Sequence, residues 1–141
     1  NPFTKLEQMF KAKPARKVVK ELALPDGSGL LNDLRVSPDG KYAVVSHILP
    51  HFRLPATQLD RGWMNSNAAT IIDLARMEII NTVLLDNIDR GAANPWGVAW
   101  SADGRRLVVE KEGRIWTITA AGVKLPTPFI DLNTKVLSKD T

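Results

Sequence analysis

Leu34-Arg-Val-Ser-Pro-Asp-Gly-Lys-Tyr-Ala-Val-Val-Ser46 returns in altered form as Val98-Ala-Trp-Ser-Ala-Asp-Gly-Arg-Arg-Leu-Val-Val-Glu110. Each copy is a short apolar strand, a Ser-x-Asp-Gly turn and a second, mostly apolar strand. Asp39 and Asp103 are placed to bond their own turn backbone, and Gly40 and Gly104 supply the positive φ that hairpin turns often need. Two such hairpins, each followed by more strand-like sequence, predict one antiparallel unit built twice.

Outward from the first copy, the pattern reads as strands near 32–37 and 41–47 about a turn at 37–40. A further pair, Ala68–Asp73 and Glu78–Leu85, turns near Leu74–Met77. Around the second copy, strands at 97–100 and 105–110 lead through a tight Lys111-Glu-Gly113 link to a strand at 114–119. A turn at Ala120–Lys124 and a short strand at Phe129–Leu132 complete it. Upstream, Phe3, Leu6, Met9 and Phe10 recur at helical spacing, so residues 3–12 predict a short amphipathic helix ended by Pro14. Arg16 to Leu24 reads as a leading strand, and Pro25-Asp-Gly-Ser-Gly29 as a loop.

Four antiparallel strands with short links are the composition of a propeller blade. The expected fold is therefore all-β, about two four-stranded blades plus a leading strand. The two Asp-Gly turns stand 64 residues apart. An insertion at 48–66, broken by Pro50 and Pro55, supplies about 20 of these and leaves the roughly 40–50 residues of one blade. A β-sandwich is the structural alternative. The domain reading is a basic segment over 1–15, then blades over 16–141. A closed propeller takes at least about four blades, and open edge strands invite pairing. Two blades thus predict a piece of a larger propeller, or a chain that closes by oligomerising.

Composition bounds the function classes. Charged residues at 24% and hydrophobic residues at 44% are ordinary for a globular domain. No apolar run reaches the roughly 20 residues of a membrane span, and the polar, basic start has no signal-peptide core. Having no Cys, the chain holds no disulfide, thiolate zinc site or covalently attached c-type haem. The net charge of +4 is uneven, since the first twenty residues carry +5. Without aromatic residues interleaved among those charges, the segment reads as a solvated terminus rather than a nucleic-acid arm.

Antiparallel connectivity locates a candidate site. Successive links alternate between the two ends of a blade, so Pro25–Asn32, Ile48–Ser66 and Asp86–Pro95 are expected at one end. They gather Asp33, His47, His51, Arg53, Arg61, Trp63, Asn65, Asn94 and Trp96 as candidate ligand- or partner-binding residues. Arg53 and Arg61 suit an anionic group, bound through the guanidinium fork, or ion pairs bracing the insertion. His47 and His51 have no third ligand at metal spacing, so no metal site is expected. Trp63 and Trp96 are the type that plugs loops against a core or offers a ligand platform. Asp86-Asn-Ile-Asp89 fails as a calcium loop, because Ile88 stands where an oxygen ligand belongs. Neither a Gly-rich phosphate loop nor a Gly-x-Ser-x-Gly elbow occurs.

Two segments carry a resemblance. Leu31-Asn-Asp-Leu-Arg-Val-Ser-Pro-Asp-Gly-Lys-Tyr-Ala-Val-Val-Ser-His47 and Gly91-Ala-Ala-Asn-Pro-Trp-Gly-Val-Ala-Trp-Ser-Ala-Asp-Gly104 resemble YVTN-type bacterial β-propellers of the lactonase-like and quinoprotein-amine-dehydrogenase-like group. Members with the loop motifs seen at His47 to Arg53 and Arg61 to Asn65 are typically exported and associated with c-type cytochrome or dihaem peroxidase modules. Leu107-Val-Val-Glu-Lys-Glu-Gly-Arg-Ile-Trp116 and Leu125-Pro-Thr-Pro-Phe-Ile-Asp-Leu132 are similar to the opening blade of soluble PQQ-dependent sugar dehydrogenases. The catalytic and cofactor residues of those enzymes have no counterpart before Thr141.

The resemblance therefore implies an accessory, partner-binding propeller segment in the periplasm or outside the cell, without a cofactor of its own. Its expected partners are the remaining blades, other copies of the chain or a c-type cytochrome. The alternative it implies is part of a PQQ- and calcium-dependent dehydrogenase, or of a lactonase-like enzyme, whose catalytic blades lie elsewhere.

Overall fold

The structure is a computed structural model and describes residues 16–50, 57, 65–86 and 94–132. Eight strands form two four-stranded antiparallel sheets in sequence order. The first holds β1 (Gly29–Val36), β2 (Tyr42–Pro50), β3 (Asn65–Asp73) and β4 (Glu78–Leu84). In the second are β5 (Pro95–Trp100), β6 (Arg106–Glu110), β7 (Arg114–Ile118) and β8 (Ile130–Asp131). Each sheet is a propeller blade, and the all-β architecture expected from the repeat is the one observed.

The two Asp-Gly turns are built alike. The Gly40 amide donates to the Ser37 carbonyl at 2.9 Å, and the Gly104 amide donates to that of Ser101 at 3.1 Å. Both glycines sit at positive φ, 71° and 81°, where a side chain would crowd the backbone. Ser37 Oγ donates to Asp39 Oδ1 at 2.6 Å while accepting the Tyr42 amide at 2.9 Å. Ser101 repeats this with Asp103 and the Arg105 amide. The Ser-x-Asp-Gly signature is thus a self-contained turn, which is why sequence alone located it.

Alternation along the strands assigns two faces to each blade. Val44 pairs with Ile71, and Ser46 pairs with Ala69, which in turn pairs with Val83. These residues turn toward the second blade. Across the gap, Val108 pairs with Trp116 and Arg106 with Ile118. Val44, Ala69, Ile71, Val83, Leu85, Val98, Val108, Trp116 and Ile118 form one buried cluster. Each valine, leucine and isoleucine among them contributes roughly 1.5–3 kcal/mol when fully buried. The blades therefore share a single apolar core.

Polar bonds pin the inner strands in register. Asn32 Nδ2 donates to the Pro95 carbonyl at 2.6 Å, the Val98 amide to Asp33 Oδ2 at 3.1 Å, and Trp100 Nε1 to the Arg35 carbonyl at 3.1 Å. The residues joined are 63, 65 and 65 positions apart. That is close to the repeat itself, as expected of units related by rotation about an axis.

Two expectations change. Arg16 to Leu24 forms no strand, and Val18 and Val19 are exposed there. Apolar, β-branched residues favour a strand only where a neighbouring ladder exists to pair with. The insertion is also shorter than expected, because β2 and β3 run into it as far as the Pro50–Asn65 pair. Pro50 lies beyond the reach of β1, whose last partner on β2 in this direction is Ile48. Its missing amide therefore faces one ladder only. The expected helix over 3–12 lies outside the described residues.

Candidate functional site at the loop end of the blade junction

Gly29 stands opposite Ile48, Ile48 opposite Asn67, and Ala68 opposite Leu84. In the second blade, Pro95 stands opposite Glu110. The connections expected to share an end therefore do share it, and Asn67 Nδ2 ties the two blades there by donating to Glu110 Oε1 at 3.2 Å.

Asp33, on β1, points between the blades. Partial burial works against its ionisation, but the Val98 amide and the Arg35 guanidinium at 3.1 Å outweigh it and hold the carboxyl below the usual range. His47 is fully buried on the opposite face of β2. Its Nδ1 lies 3.3 Å from the Ile48 carbonyl and its Nε2 lies 2.9 Å from Thr70 Oγ1, which meets Thr82 Oγ1 at 2.8 Å. An Nδ1–H tautomer satisfies this ladder, with the threonine hydroxyl donating to Nε2. Burial pushes the imidazole below its ordinary pKa. His47 is thus placed as a neutral polar peg within the sheet.

Asn65 closes the β2–β3 ladder opposite Pro50, and the Asn94 carbonyl accepts the Lys111 amide at 2.9 Å. Trp96 is 64% exposed. Asp33, Asn65, Asn94 and Trp96 thus lie at or near the loop end, whereas His47 is turned away into the sheet. His51, Arg53, Arg61 and Trp63 lie outside the described residues.

The structure adds a charged cluster to this end. Lys124 Nζ donates to the Leu85 carbonyl at 2.5 Å and lies 3.9 Å from the centroid of Trp116. Arg114 bonds Glu110 at 3.2 Å and Glu112 at 2.6 Å. Asp86 accepts the Asn67 amide at 2.9 Å. Burial pushes the Asp86 carboxyl up to about 6, against the Ser66 hydroxyl and the Asn67 amide, with the nearby Glu110 charge adding to the rise. Burial likewise lowers Lys124, while Glu110 and Asp86 oppose that shift.

A carboxyl that titrates near 6 can exchange protons close to neutral pH. Here its acceptor oxygen holds the Asn67 amide within the first blade, while the Lys124 ammonium of the second blade bonds the Leu85 and Asp86 carbonyls of the first, so the lysine clamps one blade to the other. Among the described residues, no three His, Cys, Asp or Glu side chains come together to hold a metal ion. Nor is any helix among them long and apolar enough to cross a membrane.

With this geometry in place, the chain can be set against known proteins. No protein-family model matches it. Over 97 residues it is 30% identical to hydrazine synthase subunit beta of Kuenenia stuttgartiensis. The chain is similar to a hydrazine synthase subunit. That alignment covers 69% of this chain and 25% of the relative. A solved structure of Kuenenia stuttgartiensis hydrazine synthase superposes with a TM-score of 0.54 at 28% identity, covering 64% of this chain and 26% of the other. The chain spans about a quarter of the length of the hydrazine synthase chains it matches.

Glu110, Arg114 and Lys124 escaped the sequence reading, and Asp86 entered it only in the rejected calcium loop. One signal was present for Glu110. It follows Val108 at a spacing of two, so strand alternation puts its carboxylate on the buried face. Lys124 and Asp86 gave none, because what makes them a cluster is contact between segments 38 residues apart.

Proposed function

We propose that this chain is a partner-binding blade pair of a β-propeller, working in an exported, multi-subunit redox assembly of the hydrazine synthase kind. On this reading it carries no catalytic centre of its own. The observation that carries the proposal is the outer surface of β1. Leu34 and Val36, two apart and on one face of the strand, are 54% and 51% exposed, with Leu30 and Leu31 at 65% and 60% near its start, and this is the strand that packs beside β5. An apolar stripe of this kind marks a surface that another protein surface covers.

Further propeller blades fit the β1 flank. A c-type cytochrome fits the loop end, which carries exposed Trp96, and the sequence of the insertion supplies Arg53, Arg61 and Trp63. Tryptophan and arginine are enriched among residues that dominate binding energy. The resemblance to exported YVTN-type propellers and the similarity to a hydrazine synthase subunit both support this reading.

The test places a photo-crosslinking phenylalanine analogue at Leu34 and, separately, at Trp96, and illuminates the exported fraction of the source organism. Mass spectrometry should find strand segments of a propeller joined to position 34 and a haem-c protein joined to position 96. Absence of both crosslinks, with substrate turnover by the purified chain alone, would overturn the proposal.

A further inference from the structure

At the end of the junction opposite the loops, the two Asp-Gly turns enclose a cleft of about 380 Å³ walled by Pro38, Tyr42, Trp100, Ala102 and Ala120, with Arg106 among its lining residues. Arg106 is 4% exposed. Its guanidinium lies 4.7 Å from the Trp100 ring centroid and 6.0 Å from that of Tyr42. Nη1 donates to the Thr119 and Ala120 carbonyls at 2.7 and 3.2 Å. Nε is buried without an acceptor, and among the described residues no hydrogen bond engages Nη2. Among the described residues no carboxylate pairs with this cation. Asp39 and Asp103, which also line the cleft, are each held by a seryl hydroxyl and by a neighbouring cation, Lys41 at 3.8 Å and Arg105 at 2.7 Å. The charge left uncompensated is therefore positive.

A buried guanidinium is ordinarily paired, because an unpaired buried charge is costly. Nε is closed off from solvent, so Nη2 is the donor left for a carboxylate that enters the cleft. We propose that this cleft binds a carboxylate carrying a small apolar or aromatic body. A carboxylate oxygen takes Nη2, and the body lies against Tyr42 and Trp100. A volume of this size accepts a small molecule. The same group can also arrive as an acidic side chain of a partner protein. The inference is independent of the function proposed above, since it concerns the other end of the junction.

The full chain, labelled with ¹⁵N, is titrated with benzoate, with its neutral isostere benzamide, and with a blocked alanyl-aspartyl-alanine peptide. The Arg106 Nε–H and Trp100 Nε1–H resonances are followed. Saturable shifts at both resonances are expected with benzoate, at least tenfold weaker binding with benzamide, and loss of binding in Arg106→Lys, which keeps the charge but removes the Nη2 donor. Saturation by the peptide alone assigns the carboxylate to a protein partner, and saturation by benzoate assigns it to a free ligand. Shifts with neither carboxylate, or equal affinity for benzamide, would overturn the proposal. If Arg106→Lys does not fold, the benzoate and benzamide comparison on the wild-type chain decides.

Discussion

Asp33 on the first blade accepts the backbone amide of Val98 on the second, at 3.1 Å and across 65 residues of sequence. Neither blade can use that bond alone. Removing the carboxylate leaves the Val98 amide unpaired at a partly buried junction, so Asp33→Ala should destabilise by about 1–2 kcal/mol. Asp33→Asn keeps an acceptor oxygen and should recover most of the loss. Urea denaturation of the three proteins checks this, and equal losses for both variants would show that charge rather than the acceptor matters.

Gly40 and Gly104 hold positive φ, and a Cβ at Gly104 would meet nothing nearer than Ala120 at 3.9 Å, while one at Gly40 would meet nothing within 4 Å. The space is open and the backbone is the constraint. Gly40→Val and Gly104→Val should each lower stability by roughly 1–2 kcal/mol through conformation alone. Unchanged melting temperatures would show that the turns do not require glycine.

Asp86 gives a pH dependence of known sign. Its carboxyl titrates near 3.8 when exposed and near 6 in the fold, so between those values the folded chain holds the extra proton. Stability contributed by the protonated form is present below about pH 4 and lost as pH rises through about 6. His47 acts oppositely. With its folded pKa pushed below the ordinary 6.5, raising pH toward 6.5 stabilises the fold. Comparing Asp86→Asn with wild type cancels the histidine. The stability of the variant relative to wild type should increase between pH 4 and pH 7, measured by thermal melts. A difference flat across that range would place the cluster in solvent.

Much of this fold was legible because its signals are local. The Ser-x-Asp-Gly turn closes within a few residues, and the strand boundaries follow from it. The leading strand was misread because the β-propensity of Val18 and Val19 says nothing about whether a neighbour exists. The strand alternation that buries Val108 also buries Arg106 and Glu110, yet their companions Tyr42 and Asn67 lie 64 and 43 residues away. His47, the last residue of the strand expected over 41–47, groups by sequence with the loop site, and the extension of β2 to Pro50 makes it a core residue instead. Asp33 was singled out for chemistry, and its place in the structure is a bond between blades.

The Pro50–Asn65 pair has a consequence for the insertion. These residues are Cα partners at the end of a ladder, so a two-residue Asn-Gly turn can join them directly. Because closure entropy depends weakly on loop length, replacing residues 51–64 in this way should leave the melting temperature within a few degrees of wild type. Partner association should be lost, as read by co-elution on size-exclusion chromatography. An unfolded variant would make the insertion a structural clasp.

The most direct measurement is the mass and haem content of the assembly recovered through an affinity tag on this chain in its source organism, compared with the same preparation from Leu34→Glu. The wild-type chain should elute in a complex several times its own 15.6 kDa, with a c-type haem Soret band in fixed proportion. The variant should elute free of that complex, because a carboxylate in the β1 stripe must be desolvated for the partner surface to seat. A wild-type chain that elutes alone, without haem, would contradict the role assigned to it.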